Sequence, residues 1–244
     1  MELVKKVDTI THLITKFHYD HPRYAQLHLE LEFPKFHNLE ILQIQLHNIK
    51  LSTIVSIIEN NRGNLKKIVI NEFDMHDENF YEDSLRLIYT IYENCRSIEF
   101  LTLSFFPSES HFIKFEELLK TCQKLKVLLL IYDDDSFHDG SNFDPRERLS
   151  NILIRSAPIS LREIGAFYEF SFSLKSLDNF LDSWRGRPAL SILVKSREYS
   201  RGEYLKIFDK HKDHDVIKEF KFGFTSDIYF LDYDIWGLGP KPPH

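Results

Sequence analysis

Cys95 and Cys122 are the residues of this 244-residue chain whose type best suits redox or metal chemistry. They lie in the segments ENCRSIEFLTL and KTCQKLKVLLL, each three residues before an aliphatic residue that opens the spacing [LI]-x-x-L-x-L. The pair could be a disulfide, two metal ligands or one structural position that occurs twice. The interval from Cys95 to Cys122 equals that from Ile98 to Leu125, which favours the third interpretation: two small, buried apolar groups at the ends of helices.

Other chemically capable groups do not form a recognisable site. His211 and His214 have H-x-x-H spacing but no third ligand, which is typical of a solvated helix end. Ser110 and His111 lack a partner that would make a nucleophile, and no glycine-rich phosphate loop occurs. An acidic loop does not match the calcium-loop pattern; its members are Asp133, Asp134, Asp135, His138, Asp139 and Asp144. We therefore expect no enzyme activity, no metal and no cofactor.

The composition is that of a globular protein, with 43% hydrophobic and 28% charged residues. The net charge is −6 and the basic residues form no stripe, which argues against nucleic-acid binding. No apolar run reaches the roughly 18 residues of a membrane span, and the first residues do not resemble a signal peptide. Two cysteines do not make a disulfide framework, so we expect a reducing compartment, the cytoplasm or the nucleus.

One apolar pattern recurs along the chain. Seven segments carry it, at Leu39, Leu65, Ile98, Leu125, Leu161, Leu190 and Ile217. Their starts lie 26, 33, 27, 36, 29 and 27 residues apart (65 − 39, 98 − 65 and so on). An eighth candidate, LHLELEF, begins at Leu27. Such regular intervals indicate repeated structural units.

Between these segments the spacing becomes helical, as at Ile54, Ile57 and Ile58. Pro145 suits the first turn of a helix, and Gly63 and Gly186 suit helix ends. Each unit is therefore predicted to be one strand followed by one amphipathic helix. Stacked units would form an α/β solenoid with parallel strands on one side and helices on the other.

The spacing C-x-x-[LI]-x-x-L-x-L in CRSIEFLTL and CQKLKVLLL resembles the ribonuclease-inhibitor-like leucine-rich repeats of F-box proteins, including the divergent fungal sets. The resemblance covers roughly residues 25–224. It implies a curved leucine-rich-repeat solenoid, with strands on the concave face and helices on the convex face, that captures a protein substrate. In that family a separate F-box docks on the adaptor of an SCF ubiquitin ligase.

The resemblance divides the chain into an N-terminal capping helix at 1–24, about seven repeats at 25–224, and a C-terminal cap and tail at 225–244. Residues 1–24 lack the Leu-Pro motif that opens an F-box. The expected alternatives are a fragment, a truncated gene product or a stand-alone repeat protein. Lys195 stands where an inward leucine is expected, which indicates either a change of register or a decayed repeat near the C-terminus.

Residues that alternate with the inward leucines are predicted to face the concave surface. Eight are candidate protein-binding residues: Val69, Asn71, Phe100, Thr102, Val127, Leu129, Ile131 and Phe167. Lys67, Ser104, Glu163, Gly165, Ile192 and Val194 are expected on the same face. The apolar patch around Phe100 suggests an exposed protein-binding surface with Phe100 as its anchor. The alternative is that another segment covers this face, or that both faces of the sheet are buried.

The sequence thus predicts a protein-binding module, the substrate-recognition part of an F-box-type ubiquitin ligase. The adaptor would be reached through an F-box not present in this chain. The alternative is a stand-alone scaffold or inhibitor with no ubiquitin connection.

Overall fold

Strands and helices alternate along the chain in the computed structural model, which describes residues 11–16, 36–45, 50–70, 78–132, 145–167, 172–194 and 202–222. The strands are β1 His12–Lys16, β2 Ile41–Gln45, β3 Lys67–Ile70, β4 Phe100–Phe105, β5 Val127–Tyr132, β6 Glu163–Phe167, β7 Leu190–Val194 and β8 Ile217–Phe222. The helices are α1 Leu51–Glu59, α2 Phe80–Asn94, α3 Glu109–Thr121, α4 Pro145–Ser156, α5 Leu174–Ser183 and α6 Gly202–Lys212.

The strands form one parallel sheet in sequence order, β1 to β8. Each of the seven segments predicted from the repeat contains one of the strands β2 to β8. One helix follows each of the strands β2 to β7, and consecutive helices contact one another. The α/β class and the alternation of strands with helices are therefore confirmed for the part of the chain that the structure describes.

The main core lies between the helices and one face of the sheet. Strand residues that point into it include Leu42, Ile44, Ile68, Ile70, Leu101, Leu103, Leu128, Leu130, Ile164, Ile192 and Val194. The helices contribute apolar residues at helical spacing, such as Ile54, Ile57 and Ile58 of α1, which are at most 3% exposed. We call the sheet face that carries these strand residues the helix face and the opposite one the open face.

Local signals delimit several helices, and those at Pro145, Gly63 and Gly186 are the ones that the sequence predicts. The hydroxyl groups of Ser108 and Ser173 accept the N–H groups of residues three positions later and so cap α3 and α5. Pro145 is the first residue of α4. Gly63 and Gly186 follow α1 and α5 with φ of 81° and 79°, a conformation that a side chain would disfavour.

A backbone carbonyl just before a strand accepts two N–H groups from the next unit. The carbonyl of Glu40 accepts from Lys66 at 2.9 Å and from Lys67 at 3.1 Å. The carbonyls of Thr11, Lys66, Glu99 and Lys126 repeat this paired arrangement. Equivalent positions of successive units are therefore joined by equivalent bonds.

Side chains in the turns between helices and strands also join one unit to the preceding one. The amide of Asn61 donates to the carbonyls of Phe36 and Leu39 at 3.2 and 3.0 Å. The Ser160 hydroxyl and the Arg187 guanidinium each donate to two carbonyls in the preceding turn. These donors bind carbonyl groups in the turns that precede β2, β5 and β6.

The single helix expected over residues 1–24 is wrong where the structure describes that segment. His12–Lys16 form β1, which pairs with β2, and Leu13 packs against the core. Ile14 and Thr15 are β-branched and suit a strand, and pairing satisfies backbone groups of β2 that a helix would leave open. The rest of 1–24, the segment at Leu27 and residues 225–244 lie outside the described residues.

The expected positions of Ile192 and Val194 on the open face are also wrong. Ser191 lies opposite Glu163, whereas Ile192 lies opposite Ile164 and both pack in the main core. The sixth unit is therefore shifted by one residue relative to the count that starts at Leu190. The pairing of β7 with β8 is irregular between Leu190 and Ser191, which absorbs the shift.

Charges on the helix face of the central strands should unfold the protein. Leu101 and Leu128 are opposite each other in β4 and β5, and both are fully buried. We expect Leu101→Asp and Leu128→Asp each to lower the free energy of unfolding by at least about 3 kcal/mol, measured by denaturant titration followed by circular dichroism. Ile113→Asp on α3, where the side chain is 47% exposed, is the control. Wild-type stability in both core variants would contradict this packing.

Candidate functional site

The open face of the sheet consists of rows of side chains that run across the strands. Strand pairing defines a first row of Ile41, Lys67, Phe100, Val127, Glu163, Ser191 and Glu219. It also defines a second row, which consists of Gln43, Val69, Thr102, Leu129, Gly165, Leu193 and Lys221. Val69 and Thr102 are neighbours in this row because each lies two residues after a member of the pair Lys67 and Phe100. The first row lies toward the amino-terminal ends of the strands.

The second row is not the exposed apolar patch that the sequence suggests. Val69 and Thr102 are fully buried, and Leu129 is 1% exposed. Farther along the strands, Ser104 and Ile131 are 1% and 3% exposed. At these positions the central strands are buried on both faces, as is typical of parallel sheets, so their apolar open-face residues reflect burial and not exposure.

The first row is the more accessible one. Val127 is partly exposed, as are Lys67 and Glu163, while the Phe100 ring is 7% exposed. The Lys67 ammonium lies 4.9 Å from the centroid of the Phe100 ring, a distance at which the ring face attracts a cation. Phe100 is therefore a support for Lys67 more than an exposed anchor.

The two charged residues of the first row that flank Phe100 and Val127 are partly desolvated. Burial lowers the pKa of Lys67 and raises the pKa of Glu163. Lys221 opposes the rise at Glu163, but its ammonium pairs with Glu219 at 3.1 Å. The sequence predicts that Lys67 and Glu163 lie on this face, but it does not show that their charges are partly desolvated. An alternating pattern gives the direction of a side chain but not its exposure.

Of the remaining two candidate residues, Phe167 and Asn71, only Phe167 lies in a described strand. Phe167 ends β6 and pairs with Ile131 through the backbone. Asn71 and the acidic loop at 133–144 lie outside the described residues. The candidate site is therefore the part of the first row from Lys67 to Glu163.

One group of potential metal ligands occurs among the described residues. Asp178, Asp182 and His211 each offer a ligand atom, and these atoms lie within 4.8 Å of one another. However, the Lys210 ammonium lies 2.7 Å from Asp178 and 3.7 Å from Asp182, where it already pairs with both carboxylates. Hydrogen bonds from Lys210 and then His211 lower the pKa of Asp178. The group acts as an ion-pair link between α5 and α6.

The two histidines of the H-x-x-H spacing differ in environment. The His211 ring is fully buried and its Nε2 bonds Asp178 at 2.7 Å, so the expectation of a solvated side chain is wrong for this residue. His214 is exposed and donates from Nδ1 to the Lys210 carbonyl. One lies against α5 and the other against its own helix end, so they do not act as a ligand pair.

His111 has partners that its sequence neighbourhood did not reveal. Its Nε2 lies 2.9 Å from the Ser84 hydroxyl, and its Nδ1 lies 2.8 Å from the Ser108 hydroxyl. The Tyr81 ring packs edge-on against the imidazole. Burial lowers the pKa of His111 to about 4, so the ring is neutral near pH 7. Ser84 belongs to α2 and His111 to α3, so this network links the two helices. Both side chains are fully buried, so a substrate could not reach them.

Cys95 and Cys122 occupy equivalent places, each directly after a helix, α2 or α3. Both are free and buried, and the Cys122 thiol lies 3.8 Å from the Cys95 carbonyl oxygen. Burial raises the pKa of each thiol to about 12. These features agree with a structural position that occurs twice.

The sequence matches no protein-family model and no curated protein. Within the ranges that the structure describes, every helix is too short or too polar to cross a membrane.

The thiols should be unreactive until the protein unfolds. With a pKa of about 12 in place of the ordinary value of 9.0, each thiol carries roughly a thousandfold less thiolate at pH 8. We expect Ellman's reagent to label neither cysteine in the native protein and both in guanidinium. Ser110→Cys, at an exposed position of α3, should react within seconds to minutes as a control. Rapid native labelling of the wild type would contradict the burial.

Neutral His111 should make stability depend on pH. Its pKa falls from 6.5 to about 4 on folding, so the unfolded state binds more protons between these values and stability decreases as the pH falls through this window. The contribution is present in full above pH 6.5 and amounts to roughly 3 kcal/mol. We expect His111→Gln to lose less stability than the wild type between pH 7 and pH 4 in denaturant titrations, with His214→Gln as the control. Equal losses would show that His111 does not titrate on unfolding.

Proposed function

We propose that the chain is a non-enzymatic leucine-rich-repeat solenoid that binds another protein through the first row of its open face. The observation that carries the proposal is the sequential parallel sheet, in which one row of side chains crosses six consecutive strands from β2 to β7 and is partly accessible at every strand except β4, where Phe100 is buried. The paired carbonyl bonds between units support the repeat interpretation. Interaction surfaces of repeat proteins extend across several units in this manner.

We further propose that the protein acts as the substrate-recognition part of an F-box-type ubiquitin ligase in the cytoplasm or nucleus. This part rests on the resemblance of the segments at Cys95 and Cys122 to the repeats of F-box proteins. Recognition would hold a target protein on the open face while other subunits transfer ubiquitin. A stand-alone scaffold or inhibitor is the second candidate, because its only requirement is the same binding face.

Affinity purification of the tagged chain, with the proteasome blocked and partners identified by mass spectrometry, tests both parts. Val127→Arg places a long charged side chain in the middle of the first row and should abolish recovery of the partner. Ile113→Arg makes the same kind of change on the exposed surface of α3 and should leave recovery unchanged. A partner that Val127→Arg still recovers would exclude the first row as its binding site.

The composition of the recovered complex separates the two candidates. Recovery of the SCF adaptor and a cullin together with the partner would support the ubiquitin-ligase role. Recovery of a stable partner without them would support the scaffold or inhibitor.

A further inference from the structure

The first row has a defined order of charges. Lys67 lies on β3, Phe100 and Val127 lie on β4 and β5, and Glu163 lies on β6. A cation and a carboxylate therefore flank an apolar centre. The two charged residues are three strand spacings apart, or about 14 Å.

Neither charged residue has the surroundings of an ordinary surface charge. Both are partly buried, and desolvation shifts their pKa values toward the neutral forms. Glu163 makes no ion pair with any described residue. A partly buried carboxylate that makes no direct ion pair with the described residues costs free energy, which a ligand carrying a cation would recover.

We infer that the first row binds an extended polypeptide segment that carries one acidic and one basic residue roughly four positions apart, with apolar residues between them. The acidic residue pairs with Lys67, the apolar residues contact Val127 and the rim of Phe100, and the basic residue pairs with Glu163. An extended chain advances about 3.4 Å per residue, so four positions span the separation of the charges. This inference rests on the proposed protein-binding function and specifies its ligand.

The same row disfavours other ligand classes. A nucleic acid would meet the carboxylates of Glu163 and Glu219, in a protein with a net charge of −6. A small molecule would need a concave pocket with converging polar groups. One cavity that the described residues form lies near Phe180 and Phe208, at α5 and α6, and is lined by apolar residues, so it is not such a pocket.

A change of specificity provides the test. A phage-displayed library of random peptides is selected on the immobilised wild-type chain and on two variants with reversed charge. The wild type should enrich peptides with one acidic and one basic residue at the stated spacing. Glu163→Lys should enrich peptides with two acidic residues, and Lys67→Glu peptides with two basic residues. Individual peptides should lose about tenfold in affinity when moved to the wrong variant.

Matched controls and neutral variants distinguish a local effect of the two charges from a change in net charge or a loss of folding. Lys175→Glu and Glu203→Lys make the same charge changes at exposed positions of α5 and α6 and should select the wild-type pattern. Thermal melting followed by circular dichroism checks that each variant is folded. If a charge reversal unfolds the chain, Lys67→Gln and Glu163→Gln replace it and should remove the preference for the acidic or the basic residue respectively.

The outcomes separate this inference from the function on which it rests. Peptides that are lost on Val127→Arg but show no change of charge pattern would overturn the charge order and leave the binding face standing. Peptides that still bind Val127→Arg would overturn the face itself. No enrichment on the folded wild type would count against both.

Discussion

The paired acceptance of two N–H groups by one carbonyl is the constraint on which the rest of the molecule depends. It recurs at Thr11, Glu40, Lys66, Glu99 and Lys126 and holds successive strands in one register. A shift of one residue would move every strand side chain to the other face, so these bonds also decide which residues meet the helices. The accompanying ion pairs, such as Lys66 with Glu40, are exposed and contribute little by comparison.

Register also explains what the sequence predicts well. Segments such as LKVLLLIY alternate leucines at the spacing of a strand, and the helices that follow them place apolar residues on one side. Both patterns reflect the same buried interface, so strands, helices and the positions of Cys95 and Cys122 follow from them. Pro145 and the two glycines with positive φ add local signals that depend on few neighbours.

Three features required the structure because they depend on contacts that a periodic pattern does not encode. The apolar residues of 1–24 fit one helix face, but pairing with β2 makes His12–Lys16 a strand. Leu190 looks like the start of a unit, yet Ser191 lies opposite Glu163, which shifts Ile192 into the core. Alternation gives the direction of Phe100 and Leu129 but is the same for an exposed face as for a buried one.

Burial of the second row and of Phe100 in the first row changes how recognition by the open face would work. Phe100 and Leu129 are already out of water, so a partner gains little free energy by covering them. The binding free energy must then come largely from Val127 and from the desolvated charges at Lys67 and Glu163, whose order along the row discriminates between ligands. Such a face would favour specificity over high affinity. A wrong partner would bring like charges together at Lys67 or Glu163, while a right partner would bury only a narrow strip of apolar surface.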